Sequence, residues 1–339
     1  MDAIGDRGKT VPGEFQRAPL RPDTSGTAPK GGSVFEKLFA SSSILAFAAA
    51  AFAQDPAGTQ VPQPPTAPAE THISFGVYSY KKATDVYKSF EPVITTLQSS
   101  LVERLGRPVV IDLRIEKTYE ECLDRFVEGK IDFVRFGPAS YVLAKERNKR
   151  VELLAAEQEG GKKECQGVIA VRVDSPIRTL ADLKGRSFAF GDDQSTIGRY
   201  LSQALLVESG IRARDLKSYQ YLGRHDIVFK AVEIGDFDAG AMHINVFTAL
   251  NGKEPKLRIL GAPFPNAGKP WIARAGLDPV LRTALADSLL AIRDENVLAS
   301  LKVDGFLKAS DRDYDPVRKG MKLAKEFERT EATPAPGKQ

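Results

Sequence analysis

Apolar positions follow two rhythms along this chain. Runs dense in Val, Ile and Phe at His72–Val77, Val109–Arg114 and Phe133–Phe136 have the length of buried strands. Between and after them, Phe90–Leu105, Tyr119–Glu128 and Ser140–Asn148 repeat apolar residues at helical spacing. Strand and helix therefore alternate, which predicts βαβ units and one α/β lobe. The apolar run Gly167–Val173 leads through Asp174-Ser175-Pro176 and Leu180–Leu183 into a second series. That series is a strand at Ser187–Phe190, a helix over Arg199–Ser209, a strand at Ser218–Tyr221, a helix at Asp226–Glu233 and a strand at Ala239–Met242. After Lys253–Lys256, a strand at Leu257–Leu260 can carry the chain back. Helices at Asp278–Asp287, Leu289–Asn296 and Pro316–Arg329 then complete the first lobe. The expectation is an α/β protein of two lobes, 71–166 with 258–330 and 167–257, joined by two crossovers with a cleft and hinge between them. In open α/β sheets ligands lie beyond the carboxyl ends of strands, so the loops after Val77, Phe136, Phe190, Tyr221 and Met242 should face that cleft.

The chain outside this pattern changes the compartment expected. Leu38–Ala53 is apolar, follows Lys37 and ends in Ala51-Phe52-Ala53, as a secretory signal and small-x-small cleavage site do. Residues 1–53 read as leader and signal peptide, 54–70 as a Pro-rich linker that cannot pack, and 331–339 as a polar tail. The expected location is periplasmic, and the lack of a cysteine near Ala53 gives lipid anchoring no support. An oxidising compartment leaves Cys122 and Cys165 either as one disulfide or as two isolated thiols. They and the scattered His72, His225 and His243 show no metal-ligand spacing, so neither metal nor cofactor is expected. The net charge of +4 is spread without a dense basic run, which disfavours a nucleic-acid partner.

Candidate chemistry centres on Phe188–Gly198, FAFGDDQSTIG, where a strand turns directly into a helix. Ser195 is placed to cap that helix, and the N–H groups of Thr196, Ile197 and Gly198 have no partner within it. With the helix dipole, two hydroxyls and a bare glycine, this turn suits a tetrahedral anion; an ordinary cap has the same sequence. Other strand ends carry Tyr78, Ser79 and Tyr80, Phe136-Gly137, Gly223-Arg224-His225 and His243-Ile244-Asn245, and Tyr119 opens a helix. Their coincidence at one predicted edge is the stronger argument.

Over roughly Ile73–Ser310 the chain resembles the periplasmic phosphonate, phosphite and phosphate-binding proteins of ABC importers, which have the type II binding-protein fold. The resemblance rests on Phe75-Gly76-Val77, on Ile131–Pro138 (IDFVRFGP), on Gly191–Gly198 (GDDQSTIG), and on Gly223-Arg224-His225 followed by Asp236–Ala241 (DFDAGA). It implies that Ser195, Thr196, His225, Tyr119 and Phe136 enclose the phosphorus group; the helix start and strand ends add Ile197, Gly198, Tyr78 and Ser79 to the expected site, and Asn245 and Lys269 complete it. Departures are visible. Asp193 stands for a proline of the family turn, Ile197 for a second serine and Phe136 for a tyrosine. Lys269 and Asn245 stand where acids can complement an aminoalkyl tail, so a cationic tail is disfavoured. Lys269 and Arg224, if they face the cleft, favour a dianion or second anionic group instead. The implied function is capture of a phosphorus oxyanion for the transmembrane subunits of an ABC permease, by a monomer, with no catalysis. His225 is expected to donate as a cation, giving the tightest binding in mild acid. Two alternatives remain, a ligand sensor that presents to a receptor and a secreted hydrolase of phospho-compounds; no Gly-x-Ser-x-Gly or phosphate-loop motif supports the last.

Overall fold

The computed structural model describes residues 69–79 and 81–329, so the signal-peptide reading of 38–53, Tyr80 and the polar tail lie outside the described residues. The first lobe begins β1 (Thr71–Tyr78), α1 (Ala83–Leu105), β2 (Val109–Glu116), α2 (Tyr119–Val127), β3 (Phe133–Arg135), α3 (Pro138–Arg147) and β4 (Glu152–Gln158). The second lobe holds β5 (Glu164–Arg172), β6 (Ser187–Phe190), a helix that begins at Thr196 and continues as α4 (Ser202–Glu208), then β7 (Ser218–Tyr221) and α5 (His225–Glu233). It continues with β8 (Ala239–His243), α6 (Ile244–Asn251), β9 (Leu257–Ile259) and β10 (Phe264–Ala267). The chain then returns through β11 (Pro270–Ala273), α7 (Pro279–Ala291), α8 (Glu295–Leu301), β12 (Gly305–Leu307) and α9 (Asp315–Ala324).

Two mixed sheets result, ordered β12-β4-β11-β3-β1-β2 and β10-β5-β8-β6-β7, with β9 also paired to β5. The chain passes between them at 158–164 and again at 267–270. Both crossings differ from the expected 166/167 and 257/258. The return is later because β9 and β10 run antiparallel to β5 and stay in the second sheet.

Each sheet is buried on both faces. In the first, Phe75 stacks between Phe133 and Trp271, ring centroids 4.8 Å from each, under α1 and α7. The opposite face packs Cys122, Phe126, Phe136 and Tyr141 against Ile272 and Val317. In the second sheet Phe188 and Phe190 point to one core while Ala189 between them faces another with Val228 and Phe229, as period-two alternation requires. Helix α1 starts at Ala83 rather than Phe90. Val86 is buried together with Phe90, Val93 and Leu97, which extends the helix on the N-terminal side of Pro92.

The C-terminal segment does not belong to the first lobe alone. Val317 and Met321 sit in its core, whereas Phe327 is fully buried in the core of the second. Cys122 and Cys165 are separate buried thiols, Cys122 on α2 and Cys165 on β5, so the disulfide alternative is not realised. Burial pushes the Cys165 thiol up to about 11.

Candidate functional site

Strand ends from both sheets come together here, β1 and β3 parallel in the first and β6, β7 and β8 parallel in the second. β1 delivers Tyr78, β3 leads into Phe136 and Gly137, β6 into Gly191 and the Ser195 turn, β7 into His225, and β8 ends at His243. The helix after β6 starts at Thr196, three residues before the expected Arg199, and its first turn is wide: the N–H groups of both Arg199 and Tyr200 donate to the Ser195 carbonyl. Ser195 caps it, its Oγ accepting from Gly198 N–H at 3.0 Å. Ser195, Thr196, Ile197 and Gly198 are all buried. The turn is held shut by Gly191, whose N–H donates to the Gly198 carbonyl at 2.9 Å.

The lobes meet here. Thr196 Oγ1 accepts the N–H of Ala139, in the first turn of α3, at 2.9 Å, so a hydroxyl at one helix start holds an amide at the other. Tyr78 Oη accepts the Gly137 N–H at 2.7 Å, and its ring stacks on Tyr119 with centroids 3.8 Å apart and tilts against Phe136 at 5.8 Å. Burial pushes the Tyr78 phenol up to about 12. His225 Nδ1 accepts the His243 N–H at 3.1 Å, which leaves the ring hydrogen on Nε2. Each of Ser195, Thr196, Tyr78 and His225 thus spends an acceptor on a backbone N–H and keeps a hydrogen to donate. Such a lining suits an anion.

The geometry places His225 as a neutral N–H donor, its Nδ1 taken by the His243 amide. Burial, then the positive charge of Lys269, pushes its imidazole down to about 4, against a smaller pull from Asp226. Protonating Nδ1 would also break its bond to the His243 amide. The expected imidazolium is corrected to a neutral N–H donor. Asp226 takes the Arg224 guanidinium instead of orienting His225, and Arg224 with its partner already in hand is exposed rather than turned to an anion.

The remaining expected residues divide. Ser79 is half-buried, its N–H on Glu116 and its Oγ accepting from Lys81 N–H at 3.1 Å. Asn245 and Lys269 join a polar cluster that sequence reasoning missed. Asn245 Nδ2 donates to Glu159 at 3.1 Å, and Lys269 Nζ stands 3.8 Å from Glu157 and 3.9 Å from Glu159. Glu157 is almost wholly buried and receives Arg135 and, at 3.0 Å, Trp271 Nε1. Burial alone would raise its carboxyl, but Arg135 and Lys269 hold it below the usual carboxylate range. A Glu in ELLAAEQEGG, preceded by alanines, carried no signal because its partners lie on other strands. Glu159, Cys165 and His243 bring ligand-type atoms within 4.8 Å of one another. As a donor set they suit a cation poorly: His243 Nδ1 accepts the Asn245 N–H, so Nε2 bears the hydrogen, and the Lys269 ammonium already sits beside Glu159.

The sequence over residues 75–314 matches the family described as ABC transporter, phosphonate, periplasmic substrate-binding protein. The chain belongs to this family. Among curated relatives, this binding protein is 24% identical over 229 residues, 61% of its length and 76% of the relative's, to a probable ABC transporter phosphite binding protein PhnD1 of Prochlorococcus marinus. It is 28% identical over 195 residues to a phosphate-import protein PhnD of Mycolicibacterium smegmatis, covering 54% of this chain and 59% of that one. In structure it resembles PhnD1 of Prochlorococcus marinus, solved with methylphosphonate, at a TM-score of 0.63 and 22% identity, over 76% of this chain and 99% of that one. That likeness confirms the two-lobed binding-protein fold. The family is one of transport proteins, periplasmic and working with ABC permeases. Among the described residues no helix is long and apolar enough to cross a membrane.

Proposed function

We propose that this protein, exported on the signal at 38–53, captures a phosphorus oxyanion between its lobes as a monomer and delivers it to the transmembrane subunits of an ABC permease. The ligand class is phosphonate, phosphite or phosphate. One observation carries the reading: two helix starts, Ser195-Thr196 of one lobe and Gly137–Ala139 of the other, face each other through the Thr196–Ala139 hydrogen bond, with Tyr78, Tyr119, Phe136 and His225 around them. Opposed N-termini concentrate positive potential where a bound anion would bridge the lobes. Transport rather than turnover is supported by His225, whose Nδ1 accepts a backbone amide where a catalytic base would be oriented by a carboxylate, none of which bonds its ring among the described residues.

The test is equilibrium titration with phosphate, phosphite, methylphosphonate, 2-aminoethylphosphonate and sulfate. At least one phosphorus oxyanion should bind more tightly than sulfate by about tenfold, the scale of one hydrogen bond to a charged group. Saturable binding of none of them would end this reading.

A neutral His225 also sets the pH response. With hypophosphite, a monoanion across the range, affinity should change by less than about twofold between pH 6 and 8, because a group titrating near 4 gains no proton there. A steady weakening from pH 6 to 8 would restore the imidazolium.

A further inference from the structure

The cluster around Lys269 bears on which phosphorus oxyanion is taken, a role that rests on the site being an oxyanion site as proposed. Glu157 and Glu159 lie where the chain leaves the first sheet, and Lys269 lies where it returns, the two segments joined by the Glu157 N–H on the Lys269 carbonyl at 2.9 Å. The ammonium stands 3.8 Å from one carboxylate and 3.9 Å from the other. Lys269 is 31% exposed at the side chain, Glu157 1% and Glu159 19%, so the acids are inside and the lysine closes over them. Asn245 Nδ2 reaches Glu159 at 3.1 Å, His243 Nε2 stands 3.8 Å from Glu159, and the His243 N–H is bonded to His225 Nδ1 at 3.1 Å, which places the cluster next to the residues that edge the cleft.

The two acids are not equally served. Glu157 has Arg135 and Trp271 besides Lys269. Glu159 has the neutral Asn245 amide, while His243 Nε2 lies 3.8 Å away and finds no hydrogen-bond partner among the described residues. Lys269 is thus the positive charge that answers Glu159. A primary ammonium between two carboxylates is the group that an aminoalkyl ligand would bring, supplied here by the chain itself. We infer that Lys269 fills an ammonium subsite beside the oxyanion cradle, so that the protein selects phosphorus oxyanions with a small uncharged substituent and rejects those with a cationic tail. A ligand ammonium would meet a like charge where it needs a carboxylate, and displacing Lys269 would strand that charge near Arg135. The same pairing means Lys269 is no spare cation for a second anionic group, contrary to the sequence expectation.

The test reads the ratio of affinities for methylphosphonate and 2-aminoethylphosphonate in wild type, Lys269→Met and Lys269→Met/Glu159→Gln. Wild type should favour methylphosphonate by about tenfold or more, Lys269→Met should move the ratio about tenfold toward the amine, and the added Glu159→Gln should take that gain away. A wild type that binds the amine as tightly as the methyl compound overturns the inference, whatever the variants do. So does an unmoved ratio in a folded Lys269→Met, or a gain that survives Glu159→Gln. If wild type binds no phosphorus oxyanion at all, the oxyanion reading falls and takes this inference with it.

Discussion

Gly198→Ala should weaken methylphosphonate binding about 100-fold or more while the protein stays folded. A Cβ on Gly198 would stand 2.8 Å from Gly191 Cα, 3.1 Å from Gly191 N and 3.0 Å from Ser195 Oγ. Two of these neighbours are backbone and the third is the capping hydroxyl, so no flexible side chain can swing aside. The turn must open. Opening breaks the Gly191 N–H bond to the Gly198 carbonyl and moves Ser195 and Thr196 together. Overpacking of this kind costs about 1–3 kcal/mol, and misplacing two hydroxyl donors adds about 1.5 kcal/mol or more each. Gly191→Ala should act from the other side, its Cβ meeting the His225 ring at 3.0 Å and the Gly198 Cα at the same distance. Calorimetric titration beside far-ultraviolet circular dichroism separates lost binding from lost fold. A Gly198→Ala protein binding within threefold of wild type would show that the cradle does not depend on this close approach.

The second large effect is expected at Thr196. Thr196→Val keeps the shape but removes the oxygen that accepts from Ala139, so the closed form would bury an unpaired amide and lose a donor to the anion. Binding should weaken by about 1.5–3 kcal/mol, roughly 10- to 150-fold, the scale for hydrogen bonds to a charged group. Thr196→Ser keeps the oxygen and should stay within a few-fold of wild type. Ser195→Ala should weaken binding similarly and also lower the melting temperature, because it removes the cap bond to Gly198, worth about 0.5–2 kcal/mol. If Thr196→Val and Ser195→Ala both bind as wild type does, the motif is an ordinary helix cap.

Some of this was legible one residue at a time. The FAFGDDQSTIG turn, the polar ends of β1, β3, β7 and β8, and the alternation of strand and helix were readable because caps, turns and periodicity depend on neighbours within a few residues. They led to the α/β class and to the placement of Ser195 through Gly198, Tyr78, Phe136 and His225 at strand ends, all of which the fold retains.

Other features had no local signal. β4 reads ELLAAEQ, whose residues favour helix, and it is a strand because β11 and β12 flank it on either side. β10, β11 and β12 are three or four residues each, too short for periodicity to show, and the antiparallel pairing of β10 with β5 moved the lobe crossing. Lys269 read as a free cation until β4 and the return crossing set it between Glu157 and Glu159. His225 likewise read as a cation, since a histidine's protonation depends on the burial and the His243 amide that only the assembled lobe supplies. The sequence by itself determined strands β1, β2, β3, β6, β7 and β8 and the polar groups at the ends of β1, β3, β6, β7 and β8, because that information is short-range. Only the tertiary structure decided which of those ends touch, what charge each group carries there, and which acid answers which base, because those depend on contacts between residues up to more than a hundred positions apart, such as Glu157 and Lys269.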